Sequence, residues 1–581
     1  MNHVEDALSR RGFLGALAGG ATAVAANAAA PSSKPTTAKH RPNIVLIMTD
    51  DQGYGDLGCH GNKVLKTPNL DRLASQSVEL SQFHVSPVCA PTRASLLTGR
   101  YHLRCGVWSV SNGPETMRSD EITLAELLAA GGYRTGIFGK WHLGEYYPWV
   151  PNAQGFHEFV GFRTGHWENY FDTTLERNGK PFKTKGYITD VITNEAVKFI
   201  ENNRDKPFFC YVPYNAPHNP TQVPDRYVKP YEAAGVKGET ARYYGMIASL
   251  DENIGRLLAK LDELKLADNT IVIFLTDNGP NGARYNCEMR GAKASVYEGG
   301  IRVPFFIRWP GKLAAGKKVD TIAAHIDVLP TLLEACGLAK PKAPPIDGLS
   351  LMPLLRGQAK GWTDRMLFFH WKRSMKPEPH ITGAVRTQQH KLVKGKELYD
   401  LQADPGEKKD IAAQNAQTVA KLRAAYEAWW KDVTAKRGFV LQPIPVGHPE
   451  ENPVTLQGHH VNFHGQVKFA GHGFAHDWIT NWTRTEDFID WDIDVVHGGR
   501  YEVSVTYRCP KADAGSKIKV SVGAASADST VPAAELAQGA WAKHRIGTLE
   551  LKPGRTRLSI RALTKPGKIV LDLASVELKR L

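Results

Sequence analysis

Two short apolar runs punctuate the chain in the same way. Asn43 to Thr49 reads Asn-Ile-Val-Leu-Ile-Met-Thr and stops at Asp50-Asp51. Thr270 to Thr276 reads Thr-Ile-Val-Ile-Phe-Leu-Thr and stops at Asp277-Asn278. Apolar runs without alternation predict strands buried on both faces, as in a parallel sheet. Before the second run, Leu250, Ile254, Leu257, Leu258, Leu261 and Leu264 recur at helical spacing. Thr123 to Ala130 predicts a helix halted by Gly131-Gly132, and Gly132 to Phe138 predicts a further strand. This alternation predicts an α/β fold, a large mixed, mostly parallel sheet sandwiched by helices. In open sheets of this kind, sites form beyond the carboxyl ends of the strands. The acidic residues that end both runs are therefore expected to share one site.

The pattern changes downstream. The chain turns rich in Pro and Lys near 340–350, residues 360–400 read as short strands, and 416–436 as an amphipathic helix. Together they predict a small antiparallel α+β subdomain over 341–440, following a main α/β domain over 42–340. Pro443, Pro445 and Pro453 mark 441–453 as a linker. Beyond it, Tyr501–Tyr507 and Ile518–Val522 alternate apolar and polar residues. That predicts an all-β module over 454–581, sandwich-like in form. Its Trp478, Trp482, Trp491 and Trp541 suit either a β core or an aromatic surface for sugars.

Composition narrows the class. The 581 residues, 42% hydrophobic and 23% charged, fit a soluble protein of two or three domains. The one long apolar stretch lies at the N-terminus, so no internal membrane span is expected. There Ser9-Arg10-Arg11-Gly12-Phe13-Leu14 precedes an Ala/Gly stretch that ends at Ala26-Asn27-Ala28. This resembles a bacterial twin-arginine signal over 1–28. It implies an exported, periplasmic or secreted protein, with the twin-arginine export machinery as a partner. A net charge of +14 suits polyanionic surroundings, such as sulfated glycans. The Lys and Arg residues form no concentrated block and no nucleic-acid motif, so DNA or RNA is not expected as a partner. The seven cysteines, Cys59, Cys89, Cys105, Cys210, Cys287, Cys336 and Cys509, show no CxxC zinc spacing, and their odd number leaves one for other chemistry.

The densest chemical signal is Cys89-Ala90-Pro91-Thr92-Arg93-Ala94-Ser95-Leu96-Leu97-Thr98-Gly99-Arg100. Pro91 suits a first helical turn, which places Cys89 at a helix N-terminus, where free amides favour an anion. Arg93 can pair with a carboxylate or an anionic ester. Asp50 and Asp51 would repel each other unless a cation sits between them. With Asp277 and Asn278 they give an all-oxygen donor set for a hard divalent ion. Lys140 and His142 lie two apart and would point the same way on an extended segment.

The stretch from Cys89 to Gly99 resembles the first signature of the type I sulfatases, Cys-x-Pro-Ser/Thr-Arg followed by Leu-x-Thr-Gly. Gly132-Tyr-Arg-Thr-Gly-Ile-Phe-Gly-Lys-Trp-His-Leu143 resembles the second. Thr67–Asp71, Ala216-Pro217-His218, Glu298–Pro304 and Leu398–Leu401 with Asp404-Pro405 extend the likeness from about residue 42 to about 435. The resemblance implies an alkaline-phosphatase-like fold and hydrolysis of sulfate esters, on a sulfated carbohydrate or an aryl sulfate. It implies that a maturation enzyme oxidises Cys89 to formylglycine. Asp50, Asp51, Asp277 and Asn278 would bind calcium beside it, and magnesium suits the same donors. Arg93 and the ion would favour the deprotonated hydrate and balance the sulfate oxygens. Lys140 would contact sulfate and the formylglycine, and His142 would help eliminate sulfate. His218 and Lys293 match the remaining sulfate-side histidine and lysine, either of which would protonate the leaving alcohol.

Two other readings compete. One is a formylglycine-type phosphodiester or phosphonate monoester hydrolase of the same superfamily, distinguished by its kinetic preference. The other is an inactive glycan-binding protein, against which the intact residue set argues. Residues 101–120 and 146–185, with Trp149, Trp167 and Tyr170, are candidate pocket walls that could equally be core.

Overall fold

The computed structural model describes residues 41–581 apart from 361, 363 and 535–539. The expected export signal lies outside the described residues. The chain divides into two compact units. One holds 41–110, with 117–143 and 151–439; the other holds 111–116, 144–150 and 440–581.

The first unit is built on a ten-stranded mixed sheet. Its centre is the strand Asn43–Thr49, parallel to Phe208–Pro213 on one side and to Thr270–Thr276 on the other. Arg134–Lys140 and Glu158–Phe162 continue the parallel part. Phe305–Arg308 runs antiparallel beyond Thr270–Thr276. The unbroken apolar runs have a direct packing reason. Ile44, Leu46, Met48, Ile271, Ile273 and Leu275 enter one core, while Val45, Ile47, Val272 and Phe274 enter another. Successive side chains of a strand leave on opposite faces, so a sheet covered on both sides needs both sets apolar.

The helix Gly238–Glu263 covers one face and buries Leu250, Ile254, Leu257, Leu258 and Leu261. The helix Leu124–Ala130 opens with a capping box, in which the Thr123 hydroxyl accepts from Glu126 N and the Glu126 carboxylate accepts from Thr123 N. The strand expected at 132–138 runs instead over Arg134–Lys140, because Gly132, at φ +87°, first completes the turn out of the helix. Four antiparallel strands between Leu367 and Asp400, with the helix Ala416–Ala435, complete the unit. No described helix is long and apolar enough to cross a membrane.

The second unit carries two six-stranded sheets. Phe488–Val495, Gly554–Thr564 and Lys517–Val522 form the middle of one; in the other, Asp572–Arg580 and Gly499–Arg508 lie inside and Ala542–Leu551 stands at the edge. Inward residues such as Ile489, Val503, Val520, Leu558 and Val576 build a single core. The linker expected at 441–453 needs correction. Ile444–Val446 is a strand of this unit, parallel to Phe488–Val495, because Ile444 and Val446 supply buried apolar side chains. Tyr146 and Trp149 belong to the same core, where they also border a small cavity of the second unit. Trp482 and Trp491 are fully buried, and their indole N–H groups donate to Asp487 O and Gln457 O. Trp478 and Trp541 are half-buried and meet edge to face, with the Arg508 guanidinium 3.9 Å from the Trp541 ring centre.

Candidate active site

The two central strands end in register, Thr49 opposite Thr276. Asp50-Asp51 and Asp277-Asn278 therefore emerge side by side, and all four are buried. Asp51 N donates to Asp277 Oδ1 at 3.2 Å, and the Asp51 backbone is left-handed, at φ +67°. Arg284 holds that turn, donating from one amine to Asp51 O at 2.7 Å and from Nε to Asp56 Oδ2 at 2.8 Å. Asp56 and Arg284 escaped the sequence reading. They sit in no recognisable motif, and only folding brings them together.

Asn278 Nδ2 donates to Asp51 Oδ1 at 2.8 Å and to Gly279 O at 2.9 Å, which fixes the amide. Asn278 Oδ1 and Asp50 Oδ1 are then buried with no hydrogen-bond partner among the described residues. Buried acceptors left unpaired cost about 1–3 kcal/mol each. Two orphaned oxygens amid three carboxylates are what a hard, oxygen-seeking cation would satisfy. The donor set fits calcium or magnesium.

The helix Cys89–Thr98 begins at Cys89, after an extended Val88, and every residue of it is buried. The Cys89 sulfur and one carboxylate oxygen each from Asp50 and Asp277 lie within 4.8 Å of one another. Burial pushes the Cys89 thiol up in pKa, against the pull of Lys140 and Lys293. One turn on, Arg93 donates to Asp277 Oδ2 at 2.7 and 3.2 Å and to Lys140 O at 3.0 Å. Burial, and then the neighbouring Asp50, push the Asp277 carboxyl up to about 6 despite Arg93.

Lys140 is the last residue of its strand, and its Nζ donates to Asp50 Oδ2 at 2.6 Å. Gly139 is required before it, since a Cβ there would lie 2.1 Å from Pro213 O. The extended geometry expected for Lys140 and His142 is corrected: His142 lies past the strand end with φ +62°, so simple alternation does not relate the two. The His142 ring packs against Gly165, where a Cβ would come within 2.5 Å of Nε2. Its Nε2 is 2.9 Å from Val110 O, and its Nδ1 is buried with no partner among the described residues. Burial, then Lys140, hold its pKa well below the usual histidine range.

His218 Nε2 lies 3.7 Å from Asp51 Oδ2, and burial, then Lys293, push its pKa down to about 3. Lys293 Nζ sits 2.7 and 2.8 Å from the two oxygens of Asp51. Burial works against the Lys293 charge, but Asp51, together with Cys89 and Asp50, outweighs it and holds the ammonium above its ordinary range. Lys293 and His218 in turn outweigh burial at Asp51 and hold that carboxyl low. The fold thus joins Asp50, Asp51, Cys89, Arg93, Lys140, His142, His218, Asp277, Asn278 and Lys293 in one cluster.

His166, which no motif marked, stacks on His218 with ring centres 6.2 Å apart. Of the candidate walls, Tyr170 is buried and donates to His218 O at 2.8 Å, so it supports the backbone of His218. Trp167 is half-buried, stacked on Phe162. None of the seven cysteines is in a disulfide.

Acidic oxygens, flanking cations and a helix N-terminus beyond the carboxyl ends of a mostly parallel sheet make an enzyme site for anionic esters. The sulfatase family profile matches residues 42–338, and that of the N-sulphoglucosamine sulphohydrolase C-terminal region matches 292–430. Residues 464–580 match a domain of unknown function, DUF5077. The chain belongs to the sulfatase family and is a sulfate ester hydrolase.

It is similar to human arylsulfatase A, 32% identical over 410 residues, covering 63% of this chain and 77% of the relative. It is also similar to the canine N-acetylgalactosamine-6-sulfatase, 30% identical over 432 residues, with 63% and 81% covered. Among solved structures, that of Ps i-CgsB in complex with k-i-k-neocarrahexaose matches with a TM-score of 0.64 and 31% identity, covering 69% of this chain and 95% of that one. Another, in complex with its substrate D-glucosamine-2-N,6-O-disulfate, matches with a TM-score of 0.58 and 25% identity, covering 69% and 99%.

Proposed function

We propose that this protein removes sulfate from a sulfated carbohydrate, with residue 89 matured to formylglycine and a calcium ion on Asp50, Asp51, Asp277 and Asn278. One observation carries the reading: Cys89 opens a buried helix against Asp50 and Asp277, while Asp50 Oδ1 and Asn278 Oδ1 are left without partners. The carbohydrate class is supported by the two sugar complexes among the similar structures.

When present, the hydrate of formylglycine 89 would supply an oxygen nucleophile for sulfur and a second hydroxyl for releasing sulfate, and calcium would supply fixed charge against the sulfate oxygens. Arg93, Lys140 and Lys293 are held by Asp277, Asp50 and Asp51. Three cations against three carboxylates leave the side chains balanced, so a divalent ion makes the pocket positive, as an anionic ester requires. The Val110 carbonyl can only accept, so His142 Nε2 carries its proton and Nδ1 is the basic lone pair. His142 therefore takes a proton at Nδ1, and His218 or Lys293 delivers one to the leaving alcohol.

The same reading has a formylglycine-generating enzyme as the maturation partner. It also has the twin-arginine machinery carrying the chain to the periplasm or beyond, on the strength of Arg10 and Arg11. Peptide mass spectrometry of active protein tests the nucleophile and should find an aldehyde or its hydrate at residue 89. Robust turnover with an unmodified thiol would overturn it. A screen of defined sulfated sugars beside a phosphodiester and a phosphonate monoester tests the substrate class; faster cleavage of either phosphorus ester would reject it.

A further inference from the structure

The second unit contains a cluster of ionisable side chains that the sulfatase chemistry does not use. His459 and His460 close the short turn Gly458–His460. Glu145 comes from the segment 144–150 and Glu115 from 111–116, both part of this unit. Glu145 Oε1 lies 3.0 Å from His459 Nε2 and 3.7 Å from His460 Nε2, while Glu115 Oε1 lies 3.3 Å from His460 Nε2. These side chains are 4–11% exposed.

Glu145 Oε1 faces the Nε2 atoms of both His459 and His460, and a cation held by these three atoms would satisfy them together. The ligand atoms of Glu145, His459 and His460 lie within 4.8 Å of one another. Ligands about 2.0–2.1 Å from a tetrahedral ion sit roughly 3.3 Å apart, close to the spacing here. The outer partners are also in place. His460 Nδ1 is 2.9 Å from the Tyr146 hydroxyl, which itself accepts from Gln457 N at 3.2 Å. Such partners fix the ring of a metal-bound histidine.

We propose that Glu145, His459 and His460 bind one divalent cation of the zinc type, with Glu115 beside it. Two imidazoles select a borderline metal over calcium. The three protein ligands leave one position of a tetrahedral ion to water, and the ion fastens the segment 144–150 to the turn Gly458–His460.

The test uses the full chain, stripped with chelator, returned to calcium and titrated with zinc against a chromophoric chelator, then separately with cobalt. One zinc per chain is expected, with tetrahedral cobalt absorption and a higher melting temperature in zinc. Glu145→Gln or His459→Gln should weaken zinc by at least the roughly 10–100-fold that losing an outer partner costs. Asp277→Ala should bind zinc at this site as the wild type does. Failure of the wild-type chain to bind zinc, or affinity unchanged in both variants, overturns the proposal. Should the variants not fold, the wild-type cobalt spectrum decides, and a purely octahedral one counts against the site.

Discussion

The mixed sheet of the first unit and the paired sheets of the second are both made of apolar strands, yet they place their polar residues differently. Asn43–Thr49 and Thr270–Thr276 are buried along their whole length, so charge can leave them only at the ends. Asp50, Asp51, Asp277 and Asn278 stand there, and the chemistry is concentrated beyond one edge. Lys517–Val522 buries only alternate residues and shows Lys519 and Ser521 on its other side. Polar groups are spread along that strand, and a dense ionisable cluster of the second unit is assembled from a turn and short inserted segments. A doubly covered sheet focuses chemistry at its rim and leaves a linear trace of it, while a sandwich disperses the trace.

If that contrast is right, the largest effect should come from the rim. Cys89→Ala is expected to lower turnover by a factor on the order of 10⁶, as loss of a nucleophile does, with the melting of the second unit unmoved. Calorimetry beside a sulfate-release assay checks both halves. Asp277→Ala should lose bound calcium and at least roughly 10³-fold in rate. It should also destabilise the first unit by about 3–5 kcal/mol, because the buried Arg93 guanidinium loses its partner. Asp277→Asn, which keeps the shape, separates the two effects: calcium loss with near-normal melting would confirm the ligand role.

His142→Ala should slow sulfate release more than alcohol release, since it removes the Nδ1 lone pair. Rapid-quench measurement should show a burst of alcohol with little free sulfate. Equal slowing of both products would place His142 in the first step.

In the second unit the expected effects are on stability. Trp491→Ala should destabilise it by about 3–5 kcal/mol, measured by denaturant melts, with turnover of a small soluble ester retained below the melt. This is a cleaner probe than cutting the chain near Gly447. Such a cut would remove the strands whose core Tyr146 and Trp149 complete, and leave those side chains bare. The smallest effect is expected at Trp541→Ala, about 0.5–1 kcal/mol from the lost contact with Arg508. Retention on immobilised sulfated polysaccharide should not change. A several-fold loss of retention would turn the Trp478–Trp541 pair into a sugar-binding surface.

Much of the fold was legible in the sequence because it followed from local rules, while the roles of Lys140, His142, His218 and Lys293 were marked only by motifs that resemble a family's. Five successive apolar residues in a run of strand length point to a strand covered on both sides. A Thr with Glu three places on caps a helix, and a Pro in the first turn sets Cys89 at a helix start. The register of Thr49 with Thr276 then followed from two similar strands pairing in parallel. Other features were decided by the tertiary structure. His142 has a left-handed backbone because the chain leaves its strand against Gly165, which no spacing rule encodes. Arg284 reaches Asp51 and Asp56 across 228 or more positions. Trp149 looks the same in a sequence whether it lines a pocket or fills a core. The pairing of Glu145 and Glu115 with His459 and His460 joins residues more than 300 positions apart. The sequence specifies what each residue can do through its neighbours within a turn or a strand; which distant groups share a dry, crowded space is settled only when the apolar faces close over them.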